Sequence, residues 1–218
     1  MTTIVLLATA WGSKHGGINV VNMELARALA EALGPAGRLL CVVPHAEEAD
    51  IEDAKNSGVE LLSLGLFPAH LPDYFDPGWI GTTEKKLKEA SGVVSADWCI
   101  GHDAISGSAA NLMKKNKSAG ASAVISHMNY AAYQGVKHEE FTDTESKIRE
   151  QEKILKGANV VIAVGPLLHK YASDVVDRLV PFIIPGLSII TPRPRRHQFV
   201  AVSFGRFERA ALSRSPTM

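Results

Sequence analysis

Ile4-Val-Leu-Leu-Ala-Thr9, then Trp11-Gly-Ser-Lys-His-Gly-Gly17, then a helical stripe: this opening decides the fold of the chain. A short, near-continuous apolar run is how a strand reads when both faces of its sheet are covered. The loop after it is glycine-bearing and polar. Beyond the loop, Ile18, Val21, Leu25, Ala28 and Ala32 recur at helical spacing, with Asn22, Glu24, Arg27 and Glu31 off that stripe. Strand, glycine loop and amphipathic helix form the opening unit of a parallel α/β sheet.

The same unit repeats outward from this stretch. Arg38–Val43, Val59–Leu64, Trp98–Gly101, Ala123–Ser126, Val160–Val164 and Val180–Ile184 read as further buried strands. Helical patterns fall between them at Glu47–Asn56, Thr82–Ala90, Ser106–Lys117, Asp143–Lys156 and Pro166–Val176. Pro166 suits a first helical turn, and Gly157 suits a helix end. The expected fold class is therefore α/β, a Rossmann-like three-layer domain with a mostly parallel sheet and helices on both faces. In such sheets ligands bind at the carboxyl ends of the strands, which selects the loops that matter. Two segments break the rhythm. Phe67–Gly78 is rich in proline and aromatic residues and reads as an ordered excursion. Pro185–Arg196 reads as a linker, after which Phe199–Phe204 looks like a new strand.

Composition narrows the function classes. The chain has 218 residues, 46% hydrophobic and 21% charged, with Lys plus Arg equal to Asp plus Glu at 23 each. That balance leaves no electrostatic footprint for nucleic acid or an anionic membrane. Cys41 and Cys99 lie far apart in apolar runs, as buried free thiols of a reducing compartment would. No apolar run is long enough to span a bilayer, and Met1–Ala10 lacks the basic start of a signal peptide. A cytoplasmic location is the expectation.

Three strand ends carry the candidate chemistry. Gly16 and Gly17 lie between the first strand and its helix, where backbone N–H groups and the helix dipole favour an anion; the alternative is a tight turn that only needs positive φ. The spacing is neither the dinucleotide Gly-x-Gly-x-x-Gly nor a P-loop. The fourth strand ends in Gly101-His102-Asp103 and the fifth in Ser126-His127-Met-Asn129-Tyr130. Two histidines at matched strand ends can share a cleft, where imidazole binds hydroxyls or phosphate or moves a proton. The alternative for each is a capping role. His45, His70, His138, His169 and His197 read as loop or surface residues. No third ligand stands near His102 and Asp103, so a metal is not expected. Ser106 and Ser108 lie in no nucleophile elbow. On the charged helix over Asp143–Lys156, Glu152 is placed where it could turn inward to hold a loop.

The ordered set of motifs resembles the family-4 glycosyltransferases, retaining enzymes built from two facing Rossmann-like domains, the GT-B fold. Those motifs are the Gly-Gly loop, His-Asp after strand four, His after strand five, Ala158-Asn-Val-Val-Ile-Ala-Val-Gly165, Ile184-Pro-Gly-Leu and Val202-Ser-Phe-Gly205-Arg206. The resemblance covers Thr3 to Arg206. It implies that Gly16 and Gly17 lie over the donor diphosphate near the acceptor. It implies that His102 and His127 line the cleft as catalytic candidates. Asp103 and Asn129, beside them at the same strand ends, are the candidate binding residues. It also implies that Arg206 meets donor phosphate. Two features depart from the family: no lysine follows Arg206 within Phe207–Met218, and the Glu-x-seven-Glu motif is absent. The expected organisation is an acceptor-side domain over residues 1–186, with 187–218 as linker and truncated start of a donor-binding domain. The expected substrates are a nucleotide-sugar donor and an unknown acceptor, with no tightly bound cofactor and no nucleic-acid partner. Transfer by the isolated chain is not expected, and its tail could self-associate. The alternatives are a non-catalytic Rossmann-like interaction module, or another nucleotide-binding or hydrolytic enzyme.

Overall fold

The computed structural model describes residues 1–66, 77–93, 95–132 and 141–184. Its strands are β1 (Thr2–Leu7), β2 (Gly37–Val43), β3 (Glu60–Ser63), β4 (Ala96–His102), β5 (Ala119–Ser126), β6 (Val160–Val164) and β7 (Phe182–Ile183). Between them run α1 (Gly17–Leu33), α2 (Glu48–Asn56), α3 (Pro77–Ser91), α4 (Asp103–Lys115), α5 (Phe141–Gly157) and α6 (Pro166–Val176). The strands form one sheet in the order β3-β2-β1-β4-β5-β6-β7, and every neighbouring pair is parallel. The chain walks outward from β1 to β3, then returns to the other side of β1 to place β4. Between β1 and β4 lies the switch point of the sheet, where a parallel α/β fold opens a crevice at its carboxyl edge.

Alternation along each strand assigns the two faces. Ile4, Leu6 and Ala8 join Leu39, Cys41 and Val43 in a core completed by Met23 and Ala26 of α1 and Ala54 of α2. Val5 and Leu7 turn the other way, with Leu40, Val42 and Cys99, to meet Leu87 of α3 and Ala109, Ala110 and Met113 of α4. Val124, Val161 and Ala163 pack under Ile154 and Leu155 of α5 and Ala172 of α6. A fully buried Leu or Val contributes roughly 1.5–3 kcal/mol, so the central strands, buried on both faces, anchor the domain.

One close approach fixes how β4 feeds into α4. A Cβ built on Gly101 would stand 2.3 Å from the Ser106 carbonyl oxygen and 2.8 Å from Gly107 Cα. Only glycine lets the first turn of the helix fold back onto the strand this tightly. Ser106 locks the turn: its hydroxyl donates to Leu7 O at 2.7 Å and accepts from His102 N–H at 2.8 Å.

Most elements stand where the sequence places them, and the differences have local causes. β4 and β5 begin earlier than the apolar runs: Ala96 pairs with Ala119, and the polar Asp97 and the small Gly120 that follow them interrupt the apolar signature. β7 is shorter than the run Val180–Ile184. Helix α4 starts at Asp103, so that residue belongs to the helix and not to a loop before it. The buried face of α1 is also rotated from the expected stripe: Asn19, Asn22, Met23 and Ala26 are buried, whereas Ala28 and Ala32 are exposed. Most of the excursion Phe67–Gly78 lies outside the described residues, and its last two residues open α3. Pro185–Arg196, Phe199–Phe204 and Arg206 lie outside them as well.

Candidate functional site

The glycine loop is a built structure. Asn19, buried in the first turn of α1, accepts from Thr9 Oγ1 at 3.0 Å and from Ala10 N at 3.2 Å, and donates to His15 O at 2.9 Å. Trp11 is buried and donates from Nε1 to Asp53 Oδ2 at 2.8 Å, while Arg27 forks onto the same carboxylate at 3.0 Å. Lys14 reaches Glu47 at 2.7 Å and Asp50 at 3.4 Å, clipping the loop to the start of α2. These ties leave the loop's backbone as the surface beside α1, whose N-terminus has no side-chain cap. Uncapped N–H groups at a helix start are suited to an anion.

Gly16 and Gly17 differ in kind. Gly16 has φ 95° and ψ 173°, a region essentially confined to glycine. Gly17 is the first residue of α1, has no positive φ, and a Cβ there would meet nothing within 4 Å. The conformational demand thus falls on Gly16 alone. Gly16→Ala is expected to lower stability by about 1–3 kcal/mol, whereas Gly17→Ala should melt close to the parent. Thermal melts of the two variants check this, and equal melting of both would refute the assignment of strain.

Beside the loop, Thr9, His15, Asn19, His45, Glu47 and Asp50 line a cleft of about 210 Å³ at the carboxyl ends of β1 and β2. His45, which the sequence suggests is a bland loop residue, is half-buried in this wall. His169 bonds the Val180 carbonyl away from the cleft.

Across the switch point, β4 and β5 deliver their histidines to each other. His102 Nδ1 and His127 Nε2 are 2.8 Å apart, and His102 Nε2 stands 2.9 Å from Asn22 Oδ1. Asn22 in turn donates from Nδ2 to Cys41 Sγ at 3.4 Å. His102 is 1% exposed, so both of its ring nitrogens are used inside the protein. Burial, with the His127 ring adding to it, pushes the His102 imidazole down to about 3. Burial lowers His127 to about 4. Both rings are therefore neutral near pH 7. His127 is half-buried, and among the described residues no hydrogen bond is made at its Nδ1.

Asp103 supports this pair from below. It is 1% exposed and takes a positive φ of 43° at the start of α4. Its two carboxylate oxygens accept from His127 N–H at 3.0 and 3.1 Å. Burial raises its carboxyl to about 7, against the pull of the His127 and Met128 N–H groups and the Gln151 amide. Gln151 of α5, fully buried, donates to Met128 O at 2.6 Å and accepts from Tyr130 N at 3.2 Å and Tyr171 O–H at 2.9 Å. Burial pushes the Tyr171 phenol up to about 12, so it stays a donor. The inward-turning residue of α5 is thus Gln151, not Glu152, which pairs with Lys156 at 3.5 Å. Asn129 closes the loop by accepting from Ala132 N–H at 3.1 Å.

The structure therefore brings Gly16, Gly17, His102, Asp103 and His127 to one edge of the sheet, around the first turns of α1. Asn19, Asn22 and Gln151 join them unannounced by the sequence pattern. Arg206 falls outside the described residues. Among the described residues, no three His, Cys, Asp or Glu side chains gather as metal ligands. None of the described helices is long and apolar enough to cross a membrane.

A family model described as family 4 glycosyltransferase in conflict systems matches residues 5–214. The chain belongs to that family. Solved structures agree with a GT-B glycosyltransferase fold, of which this domain is one half. Sucrose-phosphate synthase from Thermosynechococcus elongatus is 15% identical, with a TM-score of 0.59 over 84% of this chain and 47% of that one. UGT2 of Phytolacca americana is 12% identical, with a TM-score of 0.54 over 88% of this chain and 53% of that one. The same UGT2 complexed with UDP-2fluoro-glucose and pterostilbene gives 10% identity and a TM-score of 0.55, over 88% and 54%. At these identities the likeness is one of fold. The family-4 chain spans about half the length of these neighbours. No curated protein sequence matches it.

Proposed function

We propose that this family-4 domain forms the acceptor-side wall of a glycosyltransferase cleft, in which a sugar passes from a nucleotide-sugar donor to a hydroxylated acceptor. The observation that carries the reading is the pairing at the switch point. An uncapped glycine-led helix start and a half-buried, neutral His127 stand on opposite sides of the β1–β4 crevice, tied together through Asn22 and His102. In this reading the α1 N-terminus faces donor diphosphate, the dipole and free N–H groups supplying attraction for the anion. His127 contacts the reacting sugars. Asp103 and Gln151 hold the loop that carries it, and Asn129 shapes the same loop. Arg206 would meet donor phosphate, as the family resemblance implies. UDP-2fluoro-glucose in the UGT2 complex supports a nucleotide sugar as the donor class.

Chemistry of this kind needs both substrates held in one geometry, and preorganised groups aimed at developing charge contribute most of the acceleration. The domain described above offers one wall of such a cleft. The purified chain is accordingly expected to show no sugar transfer by itself, and transfer is expected once a donor-side domain completes the cleft.

The test is His127→Ala in the transfer-competent protein. Loss of one preorganised hydrogen bond in the transition state costs on the order of 3 kcal/mol, roughly a hundredfold in rate. The expected result is that loss in kcat beside a smaller loss of stability, because truncation also leaves the buried His102 Nδ1 without its partner. Near-normal turnover with early melting would make His127 a structural cap and remove it from the site.

A further inference from the structure

We propose that Asn22 and His102 are positioning residues that hold His127 as its neutral Nε2–H tautomer, leaving Nδ1 bare to accept a hydrogen bond from a substrate hydroxyl. This rests on the cleft role given to His127 above, but the tautomer itself is a property of this chain alone.

The polarity follows from the orientation of the Asn22 amide, since the buried Cys41 thiol both donates and accepts weakly and fixes neither end by itself. The Asn22 amide nitrogen donates to that sulfur. An amide has one oxygen and one nitrogen, so the group facing His102 Nε2 is the Asn22 oxygen, a pure acceptor. His102 Nε2 must therefore carry the proton of that bond. A neutral imidazole has one N–H, so His102 Nδ1 is a bare lone pair. His127 Nε2 faces that lone pair at 2.8 Å and has to be the donor. His127 is neutral in turn, so its own Nδ1 is left without a proton. Each ring thus fixes the next, because a reversed ring would set two lone pairs or two protons against each other at 2.8–2.9 Å.

The consequence is selective. A bare imidazole nitrogen attracts an O–H and repels a phosphate oxygen. His127 is therefore built to meet a hydroxyl of the sugar or of the acceptor, while donor phosphate is left to the α1 N-terminus. Neither Asn22 nor His102 touches substrate. Both are sealed inside the domain at 0% and 1% exposure, and they act by choosing which face His127 shows.

The experiment is long-range proton–nitrogen NMR on this chain labelled with 15N-histidine, near pH 7. The expected spectrum has His127 protonated at Nε2 and unprotonated at Nδ1, with His102 in the same state. In His102→Phe the lock is removed, and the two His127 nitrogens are expected to move toward tautomer-averaged shifts. In His102→Gln the side-chain oxygen can again accept from His127 Nε2–H, and the parent pattern is expected to return. A merely structural role for His102 would not divide Phe from Gln in this way. A proton on His127 Nδ1 in the parent overturns the proposal, even if neither variant folds. So does an unchanged His127 pattern in a folded His102→Phe. The proposal and the functional reading fail separately: a rate-neutral His127→Ala would remove the cleft role while leaving the tautomer measurement standing.

Discussion

Gly101→Ala is expected to cost about 3 kcal/mol or more, lowering the melting temperature by on the order of 10 °C, or to prevent folding altogether. The added methyl would meet backbone atoms and not the tip of a flexible side chain. The Ser106 carbonyl oxygen stands 2.3 Å from the Cβ position, its carbon 2.5 Å and Gly107 Cα 2.8 Å. Relief requires α4 to lift from β4. That lift is opposed because the Ser106 hydroxyl bridges Leu7 O and His102 N–H. Moving it also drags His102 from Asn22 and His127, and Asp103 from the His127 backbone. Gly81→Ala is the matched control. Gly81 is exposed on α3, has no positive φ and no neighbour within 4 Å of a Cβ. There alanine should add up to about 1 kcal/mol of stability through helix propensity. A Gly101→Ala protein melting within about 2 °C of the parent would show that the β4–α4 junction yields more readily than its contacts indicate.

The same junction shows what the sequence makes legible. Buried strands announce themselves, because residues such as Val5, Leu7, Leu40 and Val42 must be apolar on both faces. The order of strand and helix then constrains the sheet to one parallel layer. The strand ends follow from that order, which is why the sequence alone marks His102 and His127 as neighbours. Their direct contact is not visible, since they are 25 residues apart and only the register Gly101↔Val124, His102↔Ile125 brings them level.

Polar residues that turn inward are the blind spot. Asn22 reads as solvent-facing because an asparagine on a helix is usually exposed, and the alanines of α1 make either stripe plausible. What buries it is the set of partners waiting at Cys41 and His102. Gln151 is hidden by its charged neighbours Glu150, Glu152 and Lys153, and its helix looks like a solvated face until the loop carrying His127 is placed above it. Gly101 carries no local signal of its own, because a close approach is a relation between two elements.

Acid is expected to destabilise this domain between about pH 6.5 and 4, with a net slope near that of one proton. The groups involved have opposite signs. His102 and His127 sit at about 3 and 4 in the fold, below the ordinary imidazole value of about 6.5. The unfolded chain therefore binds two more protons than the native state in that window. Their favourable contribution is complete above pH 6.5 and is lost as pH falls through their folded values. Asp103 opposes them. Its carboxyl lies at about 7 in the fold and about 3.9 when unfolded. In the same window the native state holds one proton more at that site, and that contribution is lost as pH rises toward 7. Two protons against one leave a net loss of roughly 1.4 kcal/mol per pH unit on acidification, on the order of 3 kcal/mol across the window. Asp103→Asn removes the opposing group and should about double the slope. His102→Gln removes one imidazole and should nearly flatten it. Denaturant midpoints of the three proteins from pH 4 to 7 measure these slopes directly. Parallel curves for all three would mean that neither the buried imidazoles nor the buried carboxyl are linked to folding, and that the histidine pair takes up its proton without opening the domain.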